Sequence, residues 1–555
     1  MAIECLVLGA GQEVGKSCVV VTIGGKKIMF DCGMHMGRVD NPYPDFSRLS
    51  PTGDFDNVLS CVIITHCHLD HVGALPFFTQ VCGYRGPIYM TYPTKALSPI
   101  MLEDYHKILT EKSNGGEKFT LNDVKECMKK VIPVNIKESV QVDKDLQIRA
   151  YYAGHVLGAA MFYAKVGEST LVYTGDYSMT PDRHLGAAEI DRIQLDLLIT
   201  ESTYATTTRD SRFALEREFL NVVHKCVSDG GKVLMPTFSM GRTQELAIML
   251  NDYWERMNLK VPIYFSAGLT LQANVYYKML IGWTSQRIKQ SYVKCNPFDF
   301  KHVLPFNRSY IDSPGPCVLF ATPGMLTGGF SLEVFMKWAP SKENLVILPG
   351  YCLAGTVGHQ LMSGKVKTIN LDKNTQIDVQ CQIHQISFSP HTDSKGIMDL
   401  IQFLSPYHVM LMHGEKLNME KLKGKIQSEL GTPCYNPANN ETQDLKTSHF
   451  HVSRNGNVGE GILIMEKEKR AKFVHEDELL QTLNTEEHKV KIAGCFPVDI
   501  GKLQSSVSSL QPNLIEYGGH KFSENANLGK FNILQLLQIK LNELINIEIV
   551  CQGFR

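Results

Sequence analysis

Thr65-His66-Cys67-His68-Leu69-Asp70-His71-Val72-Gly73 follows directly on the apolar run Cys61-Val62-Ile63-Ile64. The run reads as a buried strand, and the stretch after it as a loop carrying four candidate metal ligands, His66, His68, Asp70 and His71. Imidazole and carboxylate together suit zinc or a similar borderline divalent ion. Packing alone explains this spacing poorly, because each such group, once buried, needs its own polar partner.

Outward from this stretch the same arrangement recurs. Lys27-Ile28-Met29-Phe30 reads as a strand with Asp31 at its end. Ile148 to Ala153 leads to Gly154-His155, Thr170 to Thr174 leads to Gly175-Asp176, and Leu195 to Thr200 leads to Glu201. Much later, Gln385-Ile386-Ser387-Phe388 leads to His391, and Val409-Met410-Leu411-Met412 leads to His413. Each run is apolar throughout or alternates with period two. Taken singly, His155 or His391 reads as a hydrogen-bonded core or surface histidine, and Asp31 or Glu201 as a cap or turn residue. Together, seven strand ends that deliver ionisable groups point to convergence on one metal site, since such groups otherwise seek solvent or a partner.

The chain of 555 residues is 43% hydrophobic, enough for a sizeable core and for roughly three domains at the usual size. A formal net charge of -1 gives no global field for nucleic acid, so a polyanion would be held by a local patch and by the metals. The 15 cysteines form no C-x-x-C pairs, which argues against a disulfide scaffold and for reduced thiols. Met1-Ala2-Ile3-Glu4-Cys5-Leu6 lacks the basic and long apolar regions of a signal peptide, and no apolar stretch reaches membrane-span length. Cytosol or nucleus is the expected location. Gly9-Ala10-Gly11-Gln12-Glu13-Val14-Gly15 imitates a dinucleotide fingerprint, but Val14 stands where a glycine is needed and a strand, not a helix, follows at Ser17 to Ile23.

Between Ser211 and about Lys367 strands and helices alternate. Phe213 to Val227 is helical in spacing, Gly230 to Pro236 reads as a turn and strand, and Thr243 to Met257 is helical again. Val261 to Phe265 precedes a helical Thr270 to Leu280, Cys317 to Ala321 precedes Ser331 to Trp338, and Asn344 to Leu348 precedes another glycine-rich turn. This pattern predicts a parallel sheet, an α/β domain inserted into the metal-binding one. His391 and His413 lie beyond it, so the first domain is expected to be discontinuous. The turn Thr237-Phe238-Ser239-Met240-Gly241-Arg242 offers backbone N–H groups for an anion, with Arg242 as a candidate phosphate contact, although such turns are ordinary in α/β sheets.

The ordered set Asp31, His-x-His-x-Asp-His at 66 to 71, His155 and Asp176 resembles the metallo-β-lactamase fold, an αββα sandwich that binds two metals. Glu201 in Glu-Ser-Thr-Tyr, His391 in Phe-Ser-Pro-His-Thr-Asp and His413 in Met-His-Gly-Glu resemble the three further motifs of its β-CASP nucleases. The RNA-cleaving branch is the most similar, through Leu8-Gly9-Ala10-Gly11-Gln12, Asp31-Cys32-Gly33-Met34-His35-Met36-Gly37 and Tyr151-Tyr152-Ala153-Gly154-His155-Val156-Leu157-Gly158, and through Thr174-Gly175-Asp176-Tyr177-Ser178-Met179-Thr180-Pro181. The likeness runs over roughly residues 1 to 440, with Pro390 standing where the family commonly has a small residue.

The resemblance implies an α/β fold class: an αββα sandwich (1–208 and 369–450) interrupted by a β-CASP insert (209–368), plus a small C-terminal α+β region (451–555). It implies two Zn2+ ions, one held by His66, His68 and His155, the other by Asp70, His71 and His413, with Asp176 bridging. Asp31 would orient a ligand from behind. His391 would be the general acid, held by Glu201, in hydrolysis that leaves a 5′-phosphate and a 3′-hydroxyl. Single-stranded RNA is the implied substrate, since the DNA-directed branch typically has an apolar residue at the position of His413. The implied partner is an inactive paralogue within a larger complex, bound through the C-terminal region.

Three other readings compete. A small-molecule thioester or lactam hydrolase would not need so large an insert. A catalytically dead scaffold would have lost ligands, and here all are filled. A redox di-iron site typically carries glutamate where His68 stands. In the last hundred residues, Lys467-Glu468-Lys469-Arg470 reads as a solvated charge run, and Phe531 to Val550 as an amphipathic segment that reports burial without saying against what.

Overall fold

Strand residues of the N-terminal half divide between two cores. In Cys18–Ile23, Val19, Val21 and Ile23 bury into one apolar cluster, and Cys18 and Val20 into another. A sheet that is apolar on both faces must be covered on both. One face meets a second sheet across a layer that includes Phe30 stacked on Tyr173, ring centroids 4.9 Å apart. The outer faces are covered by helices, among them Leu121–Lys129 and Ser394–Leu404, whose Val124 and Ile397 join the other cluster.

The computed structural model describes residues 2–446 apart from 38–40, 113–117, 210–211, 267, 294, 351, 353–354, 365 and 372–375, together with 462–466 and 470–474. The chain divides into two units, 1–447 and 448–555. In the second, Ile462–Glu466 pairs antiparallel with Arg470–Val474. The charge run, apart from Arg470, and the amphipathic segment Phe531 to Val550 lie outside the described residues.

In the first unit, two seven-stranded sheets form the sandwich. One runs in the order Thr442–Lys446, Ala2–Gly9, Cys18–Ile23, Lys26–Phe30, Cys61–Ile63, Ile88–Thr91, Val131–Val134. The other runs Cys434–Tyr435, His408–Met412, Leu197–Glu201, Ser169–Tyr173, Ala160–Val166, Leu146–Tyr152, Ser139–Gln141. Lys26–Phe30 is parallel to Cys61–Ile63, and Ser169–Tyr173, Leu197–Glu201 and His408–Met412 are parallel to one another. Their C-terminal ends therefore share one edge, where α/β sheets present ligands.

The expected insert is a third sheet of six strands, paired in parallel throughout: Val303–Phe306, Ile263–Ser266, Cys317–Ala321, Lys232–Pro236, Leu345–Leu348 and Gln382–Gln385. Its central strands are buried on both faces, which is why they read as continuous apolar runs. One expectation shifts here. The strand expected at Gln385 to Phe388 lies at Gln382–Gln385 and pairs with Leu345–Leu348, so His391 approaches the site from the insert's sheet. Among the described residues no helix is long and apolar enough to cross a membrane.

Candidate metal centre

The ligand loop is held by backbone bonds from the segment after Phe30 and from Ser17. Cys32 N–H donates to the His71 carbonyl (2.8 Å), Met34 N–H to that of Leu69 (2.9 Å) and Ser17 N–H to that of Asp70 (2.8 Å). These bonds fix the one-turn helix Leu69–Val72, too short to stand by itself. Asp31, His155 and His413 all have positive φ (59°, 51° and 52°), a costly conformation for such residues that surrounding structure must impose. All three follow a strand end, where the turn swings the side chain into the site.

Three groups of donor atoms result, all sharing Asp176, and the first two match the expected ligands. His66 Nε2 and His155 Nε2 each lie 3.1 Å from His68 Nδ1, and lie 3.7 and 3.6 Å from Asp176 Oδ2. In the second group, His413 Nε2 lies 3.2 Å and His71 Nε2 3.8 Å from Asp70 Oδ2, and His71 Nε2 lies 3.3 Å from Asp176 Oδ2. Within each group the ligand atoms are all within 4.8 Å of one another. Asp176 Oδ1 is buried without a hydrogen bond, a costly state for a carboxylate that a cation would relieve. The donor sets fit divalent cations: imidazoles and carboxylates gathered at one edge, with their partners behind them.

Those partners are well defined. His71 Nδ1 bonds Asp31 Oδ2 at 2.7 Å, and Asp31 Oδ1 also accepts from the Thr65 N–H at 2.8 Å. His155 Nδ1 lies 3.3 Å from the Pro390 carbonyl, so the residue that departs from the family pattern closes on the site through its backbone. Burial drives the pKa of His66 and His155 well below the ordinary imidazole value and that of His68 to about 4, which keeps all three neutral with a lone pair to give. For Asp176 burial acts upward, but the charges of His413, His71 and His391 outweigh it and hold the carboxyl well below its usual range.

His391 belongs to neither of the first two groups, but it lies with Glu201, Asp176 and His413 in the third, its Nδ1 3.7 Å from Asp176 Oδ2. Its Nδ1 bonds Glu201 Oε2 at 2.9 Å, while Glu201 Oε1 accepts from the Tyr177 N–H at 2.9 Å. Burial presses His391 down, but the Glu201 and Asp176 charges prevail and its pKa is raised. Two hydroxyls escaped the sequence reading. Thr203 Oγ1 donates to Glu201 Oε2 (2.7 Å) and lies 3.0 Å from His413 Nδ1, and Thr65 Oγ1 lies 3.0 Å from both Asp31 oxygens and 3.1 Å from His66 Nδ1. The available signal was position: each is adjacent to, or two residues from, an expected site residue.

Arg242 opens the helix Arg242–Met257 and lines the same cleft, but its guanidinium pairs with the fully buried Glu245, which also pairs with Arg212. The cleft runs between the metal groups and the insert, with Phe238, Met240 and Met325 on the far wall. Its volume of about 140 Å3 is below the roughly 300 Å3 of ordinary small-ligand sites, so a nucleotide needs the walls to part.

Family models match in the same order as the sheets: a metallo-beta-lactamase superfamily domain over residues 20–203, a Beta-Casp domain over 243–361, and a Zn-dependent metallo-hydrolase RNA specificity domain over 376–437. The chain belongs to the metallo-β-lactamase/β-CASP family, and its class is that of metal-dependent endoribonucleases. Within the family it is 61% identical over 526 residues to cleavage and polyadenylation specificity factor subunit 3-II of Arabidopsis thaliana, covering 90% of this chain and 86% of that one. It is 59% identical over 459 residues to the Integrator complex subunit 11 homolog of Dictyostelium discoideum, covering 80% of this chain and 62% of that one. To Integrator complex subunit 11 of Danio rerio it is 56% identical over 442 residues, 80% of this chain and 74% of that one.

Proposed function

We propose that this chain is the zinc-dependent RNA-cleaving subunit of an Integrator-type complex in the nucleus, acting on nascent transcripts such as small nuclear RNA precursors. The observation that carries the reading is Asp176, buried within reach of both ligand groups with one oxygen unbonded. His66, His68 and His155 would hold one Zn2+, and Asp70, His71 and His413 the other, with Asp176 between them. Bound there, the pair would supply nucleophile activation and would neutralise charge on the phosphodiester. Asp31 fixes the His71 ring. With its Nδ1 held by Glu201, His391 has Nε2 available to protonate the leaving 3′ oxygen, and the raised pKa favours that acid form. Arg242 is the candidate phosphate contact on the insert side, although its guanidinium already pairs with Glu245. Region 451–555 is the proposed binding region for the inactive paralogue, Integrator subunit 9.

A place in pre-mRNA 3′-end cleavage is the second reading, favoured by the 61% identity to the Arabidopsis relative. The test is cleavage by the full chain, with and without the paralogue, of single-stranded RNA and of DNA of the same sequence. RNA alone should be cut, to 5′-phosphate and 3′-hydroxyl ends. Equal cutting of DNA would overturn the assignment.

A further inference from the structure

The two ends of the site repeat one hydrogen-bonding pattern. At the first end the Asp31 carboxylate takes His71 directly, through Nδ1 at 2.7 Å, and reaches His66 through the Thr65 hydroxyl, which lies 3.0 Å from Asp31 and 3.1 Å from His66 Nδ1. At the other end the Glu201 carboxylate takes His391 directly, through Nδ1 at 2.9 Å, and reaches His413 through the Thr203 hydroxyl, which lies 2.7 Å from Glu201 and 3.0 Å from His413 Nδ1. Each carboxylate thus governs two imidazoles, one by contact and one through a threonine.

Hydrogen balance fixes the direction at Thr203. A hydroxyl has one proton to give and lone pairs to receive. The groups that can accept it are Glu201 Oε2 at 2.7 Å, the His413 carbonyl at 3.2 Å and, where unprotonated, the ring nitrogens His413 Nδ1 at 3.0 Å and His391 Nδ1 at 3.4 Å. The shortest bond, to the carboxylate, takes the proton. Having donated to Glu201, Oγ1 accepts from His413 Nδ1–H, so Nε2, 3.2 Å from Asp70 Oδ2, is the nitrogen whose lone pair a cation shared with Asp70 would take. That is the tautomer a metal ligand needs.

We propose that Thr203 is a positioning residue: through His413 Nδ1–H to Thr203 Oγ1–H to Glu201, it sets the ligand tautomer of the second metal group and anchors the carboxylate that holds His391. The inference rests on the binuclear reading of the site. One hydroxyl then serves both the metal and the acid, and losing it weakens each. Thr203 lines the cleft, but its hydroxyl is engaged by Glu201 and His413, so its loss should act on kcat and spare KM.

The experiment compares full-length Thr203→Val, Thr203→Ala and Thr203→Ser with the wild type, after zinc loading. The readouts are the chelator concentration that removes half of the second metal, followed by mass spectrometry, and kcat and KM on single-stranded RNA. Val keeps the β-branched shape without the hydroxyl, and Ser keeps the hydroxyl without the branch. The prediction is that Val and Ala lose the second metal at a chelator concentration about 10- to 100-fold lower, with kcat reduced and KM unchanged, while Ser stays near wild type. Val behaving as wild type, or Ser losing as much as Val, would overturn the assignment. Should Val fail to fold, Ala against Ser decides it. A wild-type chain that takes up no metal would instead sink the binuclear reading itself, and the two failures are distinct.

Discussion

His71 and His391 make the same bond, Nδ1 to a carboxylate, yet their other surroundings differ. His71 presents Nε2 to Asp176 at 3.3 Å within a ligand group, whereas His391 approaches Asp176 only with the nitrogen already bound to Glu201, at 3.7 Å. The first arrangement suits a ligand and the second a proton donor. His391→Ala should therefore keep its metal content and lose cleavage by about 10²- to 10⁴-fold, as expected for removal of a general acid. The pH dependence follows from the raised pKa. An acid must be protonated to act, so the rate is full below that pKa and falls as pH rises through it. Burial pulls the value down, and the Glu201 charge is the foremost influence that outweighs it. Glu201→Gln removes this support, so the alkaline limb of kcat/KM should move to lower pH. An unmoved limb in that profile would mean another group is the acid.

At the scale of elements, the site is a set of strand ends locked to one another. Gly33 shows how tightly. A Cβ there would come within 1.8 Å of the Asp70 carbonyl oxygen and 2.8 Å of the Ser17 nitrogen, both backbone atoms that cannot swing aside. Gly33→Ala should push the Asp70–His71 turn out of register, cost about 1–3 kcal/mol or more of stability and lower metal content, read together by urea unfolding and mass spectrometry.

The same scale explains what the sequence could show. Short apolar runs ending in His, Asp or Glu were legible because burial on both faces and a polar terminus leave a pattern that needs no partner to be seen. The strand before His391 was misplaced by three residues because Gln382–Gln385 is a half-exposed edge strand, with no clear alternation to mark its bounds. Thr65 and Thr203 were missed because a hydroxyl in a loop is commonplace, and only the distances to Asp31, Glu201 and two imidazoles give it meaning. Arg242 is a candidate phosphate contact in the sequence, and its pairing with Glu245 is visible only where the helix Arg242–Met257 brings the two together.

For the molecule as a whole, the sandwich and the insert face each other across a cleft with the metal groups on one wall and the turns around Phe238 and Met325 on the other. On the proposed function the substrate would enter between them, so cleavage by the isolated chain would depend on how far the walls part, whereas metal content would not. Metal content is thus the more direct reporter of the central claim that Asp176 joins two ligand groups. Wild-type full-length chain and Asp176→Ala, each loaded with zinc and freed of excess, would be compared by native mass spectrometry. The account predicts two zinc ions per chain in the wild type and loss from both groups in the variant. A wild type that holds one ion or none, or a variant that still holds two, would contradict it.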